Sequence, residues 1–347
     1  MPLQYRTLIL IGLNLLACSS IAKEGSTPDP LFQEKGALAV TITAPLTTLI
    51  KERSTEDELA GVFEYTEADG TAVKLDIMIR ARGHFRHDNC KFPPLRLNFK
   101  KSQTDDTLFH KQDKVKLVVH CEQSARYEQS LIREYLAYRV LNTLTDLSFR
   151  VRLLRVTYVD SEGRRPEQVR FAFLVEHKDR LGKRHGMKEL EVDKVAVDSI
   201  QPGPLNLTSM FQFLISNTDF SPIRSAPERD CCHNYVLFEK GSDPLIAIPY
   251  DFDLSGFVNA QYAKPDSRFG LRNVRERLYR GRCVNNGYIA NSLRQFQVNK
   301  DVIYNLINEQ EGMSSKVRKS VIRSVNNFYR VIDDPRVVER QLIAKCI

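Results

Sequence analysis

The chain has 347 residues, of which 42% are hydrophobic and 27% are charged. These proportions are typical of a globular protein, and they exclude a disordered chain, a collagen-like chain and a multi-span membrane protein. The length fits two domains or one large two-lobed unit. A chain of this length buries most of its apolar surface on folding, so it does not depend on disulfides to form a core.

The formal net charge of +8 is concentrated in the C-terminal quarter of the sequence. Residues 259–347 hold 17 Lys and Arg against 8 Asp and Glu, whereas residues 1–258 hold 34 against 35. Such a surplus can serve an anionic partner, or it can simply keep the exposed faces of helices solvated. No nucleic-acid-binding motif accompanies the charge, so no specific nucleic acid is expected.

Residues 1–22 have the pattern of a signal sequence. Arg6 precedes a mostly apolar run over residues 7–17 that is too short to span a bilayer. Two cleavage patterns compete: Leu15-Leu16-Ala17-Cys18 resembles a bacterial lipobox, which would leave a lipid anchor on Cys18, and Ser20-Ile21-Ala22 fits the small-x-small rule. The sequence therefore predicts an exported protein that is periplasmic, an outer-membrane lipoprotein or secreted, with no membrane contact except a lipid on Cys18.

The next part of the chain is rich in predicted strands. Residues 23–36 are polar, contain Pro and Gly, and predict a tether. Alternation of apolar and polar residues then predicts strands over 38–44, 61–65, 73–79, 95–99 and 115–119. A helix is expected over 124–143, because apolar residues recur there at three- and four-residue steps, and a hairpin over 151–159 and 169–176 follows it.

The second half of the chain is predicted to be mainly helical. A helix is expected near 208–216, two strands over 235–239 and 245–248, and helices from residue 288 onward. Polar residues gather where the strand-rich and helix-rich halves meet. The element order indicates an α+β protein.

The cysteines agree with export. Beyond Cys18 there are six, an even number that an oxidising compartment favours: Cys90, Cys121, Cys231, Cys232, Cys283 and Cys346. Cys90 and Cys121 lie at the edges of neighbouring predicted strands, which predicts that they pair. A bridge between adjacent cysteines is strained, so we expect Cys283 to pair with Cys231 or Cys232.

A zinc site is an alternative interpretation of the same region. His84, His87 and Cys90 are spaced by three, and His120-Cys121 adds two further ligand types. No CxxC or HExxH pattern is present, so the competing interpretation is surface histidines beside a disulfide.

Three short segments of the second half concentrate acids and oxygen ligands: Asn217-Thr218-Asp219, His233-Asn234 and Asp251-Phe252-Asp253. Asp251 and Asp253 follow an apolar strand two residues apart, so in extended backbone they face the same side. Mg²⁺ prefers one or two carboxylates with phosphate oxygens and waters, and an acid nearby can accept the proton of an attacking hydroxyl. The alternative is that these residues only cap turns and a short helix.

The region from about residue 38 to 258 resembles the spore-coat protein H kinase-like family. In chain order, the resemblance is carried by Arg82-Gly83, Leu95-Arg96-Leu97-Asn98-Phe99, Arg133, Phe173-Leu174-Val175-Glu176, Asn217-Thr218-Asp219, His233-Asn234-Tyr235 and Pro249-Tyr250-Asp251-Phe252-Asp253. The chain departs from the family pattern in three ways. Asp219 and Asn234 are 15 residues apart, and the loop between them carries two Cys. The Lys-rich strand of the family is interrupted here by Pro93-Pro94, and Asn98 stands where a Lys is usual.

The resemblance implies an atypical protein-kinase-like, two-lobed α+β fold. A β-rich N-lobe would occupy residues 37–176 and a mainly helical C-lobe residues 177–347, with the acidic segments in the cleft of the C-lobe. The resemblance also implies that Asp219 is the catalytic acid that positions the substrate hydroxyl, and that Glu176 and Arg96 lie near the adenine and the phosphates of a nucleotide.

The metal ligands are predicted partly by the family resemblance and partly by the spacing of the acidic residues. The resemblance implies that Asn234 and Asp251 hold Mg²⁺ or Mn²⁺ on the nucleotide phosphates, and the two-residue spacing adds Asp253. These roles predict an exported, metal-dependent phosphotransferase acting on a protein or an envelope component. Because compartments outside the cytoplasm are poor in ATP, another phosphate donor is an open alternative.

Two other functions remain open. The first is a non-catalytic cell-envelope binding protein with a degenerate kinase-like cleft, which would bind an anionic partner through its basic C-terminal helices. The second is a divalent-metal hydrolase that uses the same acids.

Overall fold

A computed structural model of the protein describes residues 27–225 and 230–347. The predicted signal sequence and Cys18 lie outside the described residues. The described end of the predicted tether packs against the folded body, because Leu31 and Phe32 of the short 3-10 helix Pro30–Phe32 are buried.

Seven strands form a closed barrel in the first half of the chain. Their order around the barrel is β1-β2-β3-β4-β5-β7-β6, and all neighbours are antiparallel except β1 and β6, which are parallel. The strands are β1 (Leu38–Ala44), β2 (Leu59–Thr66), β3 (Ala72–Ala81), β4 (Leu95–Phe99), β5 (Lys114–Val118), β6 (Val151–Asp160) and β7 (Gln168–Val175).

The period-two pattern of each strand explains the barrel interior. In β3, Leu75, Ile77 and Ile79 are buried while the residues between them are exposed, and the other strands contribute inward residues in the same way. The closing β1–β6 pair runs in register from Leu38 opposite Leu154 to Ala44 opposite Asp160. Closure leaves no free edge strand in the barrel.

The predicted kinase-like, two-lobed fold is wrong. The strand-rich half is a closed seven-stranded mixed barrel and not the open sheet of a β-rich lobe. One apolar core also joins the two halves: it contains Phe173 and Val175 on the outer face of β7, Met210, and Phe328 near the C-terminus. Alternation of apolar and polar residues predicts which face of a strand is buried. It does not predict whether the two edge strands of a sheet, here β1 and β6, pair with each other and close a barrel.

The remaining elements surround one side of the barrel. A small antiparallel sheet has the order β10-β9-β8, with β8 (Lys188–Glu189), β9 (Tyr235–Glu239) and β10 (Ile246–Pro249). The α-helices are α1 (Leu46–Glu52), α2 (Phe85–Asn89), α3 (Ala125–Leu144), α4 (Lys178–His185), α5 (Pro202–Leu214), α6 (Ile289–Val298), α7 (Lys300–Glu309), α8 (Ser315–Ile332) and α9 (Pro335–Gln341).

Further 3-10 helices occupy Lys101–Gln103, Val197–Ser199, Ser267–Phe269, Cys283–Tyr288 and Ile343–Lys345. Across residues 27–225 and 230–347, no helix combines the length and apolar character needed to cross a membrane. The helix α3 is central to the fold, because its buried residues pack between β6, β7 and the C-terminal helices.

Three cysteine pairs lie at disulfide distance. The predicted Cys90–Cys121 pair is confirmed, with the two Cα atoms 4.6 Å apart. The prediction for Cys283 is wrong, because Cys283 pairs with Cys346 and the adjacent Cys231 and Cys232 pair with each other.

Backbone hydrogen bonds explain the partner of Cys283. The C-terminal residue Ile347 donates its N–H to Gly281 and accepts from the N–H of Cys283, which places Cys346 beside Cys283. The zinc alternative loses its thiolate ligands, because Cys90 and Cys121 are consumed by their disulfide. Among the described residues, no group of three or more His, Cys, Asp or Glu side chains is arranged to hold a metal ion.

Peptide mapping of the oxidised protein tests this pairing. We expect Cys90 to be found linked to Cys121, and Cys283 linked to Cys346, with neither pair alkylated before reduction. The change Cys346→Ser should expose one thiol at Cys283. Because the bridge closes a loop of 63 residues, its loss should lower the free energy of unfolding by up to about 4 kcal/mol in urea. A link from Cys283 to Cys231 or Cys232 would contradict the assignment.

His120 is fully buried, and neither of its ring nitrogens has a hydrogen-bond partner among the described residues. Its ring stacks on Phe92, with ring centroids 5.0 Å apart, and lies near Tyr158. Burial lowers the pKa of His120 from 6.5 to about 4, and the positive charges of Arg170 and Arg86 act in the same direction. The neutral ring therefore behaves as one more aromatic core residue.

This burial predicts a loss of stability in mild acid. Between about pH 6.5 and pH 4 the unfolded state binds more protons at His120 than the folded state, so stability falls as the pH drops through that window. The contribution is about 3 kcal/mol, from the pKa difference. Urea unfolding at a series of pH values measures this effect. In His120→Phe, the free energy of unfolding should fall by about 3 kcal/mol less over this pH window than in the parent protein. An equal pH slope in the two proteins would show that His120 is not buried as described.

Candidate active site

The predicted acidic segments meet at one end of the small sheet. Strands β9 and β10 are antiparallel, with Pro249 opposite Tyr235, so the residue before β9 and the residues after β10 lie at the same end. The N–H of Tyr250 donates to the carbonyl of Asn234 at 3.0 Å. The position of the hairpin end therefore brings Asn234 and Asp251 together.

Asp219 is held in this cluster by two neighbours. Its Oδ1 lies 2.7 Å from Nε2 of His233, and its Oδ2 accepts from Nδ2 of Asn234 at 2.9 Å. The turn that presents it is fixed by the buried Asn217, whose Oδ1 accepts the N–H of Asp219 and whose Nδ2 donates to Gln212 of α5. Asp219 remains about one-third exposed, so its carboxylate is accessible from the cavity.

Asp251 and Asp253 follow β10 but do not continue it as extended backbone. Asp251 has φ of 61°, a left-handed conformation that Asp and Asn tolerate better than most residues. Its N–H donates to the hydroxyl of Tyr138 on α3 at 2.8 Å. Asp253 is buried and accepts from the hydroxyl of Tyr262 at 3.0 Å.

The carboxylates crowd one another. Burial raises the pKa of Asp253 to about 7, and the negative charges of Asp251 and Asp219 contribute to that rise, while Arg86 opposes it. Burial likewise raises the pKa of Glu134, a buried residue of α3, well above its ordinary value, although Arg86 lies 3.5 Å away. The local negative charge is therefore only partly compensated by the side chains described.

A cavity of about 470 Å³ connects these groups. We call it the acidic cavity. The carboxylates and the amide that line it come from five separate parts of the chain, and three cations line it with them: Glu134, Glu176, Asp219, Asp230, Asn234, Asp251, Asp253, Arg82, Arg86 and Lys116.

The facing wall carries a row of cations that crosses three strands. Arg80 of β3 is directly opposite Arg96 of β4, and Arg96 is directly opposite Lys116 of β5. We call these three residues the basic row. Directly opposed like charges destabilise a sheet. Burial lowers the pKa of Lys116 to about 8, and the charge of Arg82 lowers it further.

A second cavity of about 520 Å³ lies over the basic row. It shares Arg82, Lys116 and Tyr250 with the acidic cavity, so the two are neighbours. Lys116 lies over the ring of Tyr250, 4.9 Å from its centroid. The second cavity is also lined by Glu189 and Glu191, which pair with Lys178, and by Asp230, so a ligand that occupies it would meet charges of both signs.

The predicted site residues divide between these cavities. Asp219, Asn234, Asp251 and Asp253 line the acidic cavity, as the predicted cluster requires. Arg96 does not line the acidic cavity but only its basic neighbour.

Glu176 also lines the acidic cavity, but its carboxylate is already engaged. It accepts from Nε and Nη2 of Arg184 at 3.0 and 2.9 Å and from the N–H of Arg150. Glu176 therefore stabilises the end of β7, and its side chain is not free to contact a ligand.

Sequence reasoning missed Lys116, Glu134 and the role of Tyr138. Lys116 could be assigned only to the outer face of its strand, because Val115 and Leu117 are the inward residues. Glu134 and Tyr138 are four residues apart on α3 and so share one face. Arg133, which carried part of the family resemblance, points elsewhere and donates to the carbonyl of Val258.

Asp251, Asp253 and Asn234 carry oxygen groups of the kinds that Mg²⁺ binds, and we propose them as ligands of a small divalent cation. A buried carboxylate whose pKa is raised by burial and by neighbouring negative charges, as in Asp253, gains from a cation placed beside it. Asp251 and Asp253, with the side-chain oxygen of Asn234, would hold Mg²⁺ or Mn²⁺, whose coordination in proteins is completed by phosphate oxygens and water. Such a cation would supply charge neutralisation for a bound phosphate.

No protein-family model matches the sequence, and no curated protein matches it either. The geometry of the two cavities is therefore the basis for the function proposed below.

Substitution of Asp251 tests the metal assignment. Asp251→Asn keeps a residue type that tolerates the left-handed backbone, but it removes one of the crowded charges. We expect Mn²⁺ binding, measured by calorimetry, to be lost. The metal-free variant should be no less stable than the parent in thermal melts, and up to about 1 kcal/mol more stable, the size of one pKa unit.

Asp243→Asn is the matched control, because Asp243 is an exposed acid in the turn between β9 and β10. It should change neither Mn²⁺ affinity nor stability. Unchanged Mn²⁺ affinity in Asp251→Asn would end the metal assignment.

Proposed function

We propose that the protein is an exported, divalent-cation-dependent phosphotransferase that acts on a hydroxyl group of a protein or envelope component. The observation that carries this proposal is the joining of three carboxylates, Asp219, Asp251 and Asp253, to the cations Arg82 and Lys116 in one cavity. Phosphoryl transfer needs both kinds of group, because a metal ion and cations stabilise the phosphate while an acid receives a proton.

The division of labour follows from the contacts. Asp219 is accessible and is oriented by His233 and Asn234, so it suits the role of proton acceptor. The acceptor hydroxyl gives its proton to Asp219 as its oxygen bonds to phosphorus, and the bond from phosphorus to the donor's leaving oxygen breaks. Arg82 and Lys116 would contact the phosphate oxygens during this exchange.

The basic row supports a donor with several phosphates. Arg80, Arg96 and Lys116 extend the positive wall beyond the acidic cavity, where a second or third phosphate would offset their mutual repulsion. A nucleoside triphosphate and an inorganic polyphosphate share this chemistry. Export is supported by the disulfide pairs, which persist in oxidising compartments.

A split between binding and turnover tests the proposal. With Mn²⁺, a donor at roughly 100 times its Kd should raise the free energy of unfolding by about 2.7 kcal/mol. In Asp219→Asn this stabilisation should persist, while phosphate transfer from ATP, GTP or tripolyphosphate falls at least about 100-fold. Thermal melts and release of labelled phosphate measure the two effects.

The control is again Asp243→Asn, which should retain both binding and turnover. Absence of any donor-induced stabilisation would contradict the proposal and favour the non-catalytic binding protein. Phosphate release that requires Asp219 but labels no acceptor would instead favour the metal-dependent hydrolase.

A further inference from the structure

Helix α8 carries a line of cations on its exposed face. Its buried face is formed by Val321, Val325, Phe328 and Ile332. On the opposite side lie four exposed cations separated by three, four and seven residues, a spacing that keeps them on one face: Lys316, Lys319, Arg323 and Arg330. We call these four residues the α8 basic line. Between its ends the helix rises about 21 Å.

No acid offsets this charge within the helix. The sequence of α8 contains no Asp or Glu. The fifth cation, Arg318, turns toward the body and donates to the carbonyls of Gln310 and Met313, so it stabilises the loop before the helix. Among the side-chain contacts of the described chain, the α8 basic line has only the weak bond from Arg330 to Asn327, at 3.4 Å.

The line is separate from the candidate active site. None of its four residues lines the acidic cavity or the cavity over the basic row. It also accounts for four of the 17 Lys and Arg of the C-terminal quarter. Such surface charges keep the protein soluble, and they attract anions that approach the outer surface.

We propose that the α8 basic line docks the protein on an anionic phospholipid surface. A straight, convex row of Lys and Arg matches a plane of negative headgroups, and each cation near such a surface contributes about 1 kcal/mol, or about 5-fold in affinity. The exposed line contains no aromatic side chain on which a base could stack. The disulfides indicate an oxidising compartment, where headgroups are available and nucleic acid is not.

Cosedimentation with lipid vesicles tests the proposal. All proteins carry Cys18→Ser, so that no lipid anchor contributes. We expect binding to vesicles of equal parts phosphatidylglycerol and phosphatidylcholine, no binding to phosphatidylcholine alone, and release at high salt. The triple variant Lys316→Gln, Lys319→Gln, Arg323→Gln should bind about 100-fold more weakly. Gln preserves helix propensity, and circular dichroism verifies that the variant is folded.

The matched control removes three exposed lysines elsewhere, in Lys51→Gln, Lys100→Gln, Lys240→Gln. It has the same net charge as the α8 triple variant and should lose much less affinity. An equal loss in both triple variants would show a general charge effect and overturn the proposal. Absence of binding to anionic vesicles would also overturn the proposal. Binding to duplex DNA that depends on the α8 basic line and is tighter than binding to lipid would overturn it as well. The assay contains no metal or donor, so its outcome is independent of the proposed phosphotransferase activity.

Discussion

The parallel pairing of β1 with β6 determines how the rest of the molecule is arranged. This pairing uses the two strands that would otherwise be the edges of the sheet, so the barrel presents only its outer surface to the remaining chain. On the side of β5, β7 and β6, that surface is apolar and packs against α3. On the side of β3, β4 and β5 it is cationic, and the two cavities form where the loops of the small sheet face it.

The charged residues of the candidate site therefore come from two different parts of the fold. Of its cations, Lys116 is an outward residue of β5, whose position is fixed by the register of the sheet, and Arg82 directly follows β3. Its carboxylates come from turns after α5 and β10, and from α3, which touches both parts. Tyr138 of α3 links the two, because it lies against Phe252 and accepts the N–H of Asp251. Packing of α3 on the barrel thus also sets the distance between the acids and the cations.

Local patterns in the sequence were sufficient for some features and not for others. The alternation of Leu75, Ile77 and Ile79 predicted β3, and the polar residues that flank β9 and β10 predicted the acidic cluster. Barrel closure depends on pairs more than 100 residues apart, such as Leu38 with Leu154. No local period encodes such a pair. For the same reason the sequence did not predict Lys116, whose importance comes from neighbours on other strands. It also did not predict the partner of Cys283, which is determined by the position of the C-terminus.

Charge balance is the physical reason for proposing that a cation and a phosphate bind in the acidic cavity together. A phosphate without a cation would meet the crowded charges of Asp251 and Asp253, whereas a cation without phosphate would lie near Arg82 and Lys116. Each ion alone is attracted by one wall and repelled by the other. Bound together they neutralise both walls, since the cation relieves the carboxylates and the phosphate relieves the lysine whose pKa is lowered. We therefore propose that a metal and a phosphate bind cooperatively as one complex, the form in which phosphoryl donors are used in metal-dependent transfer.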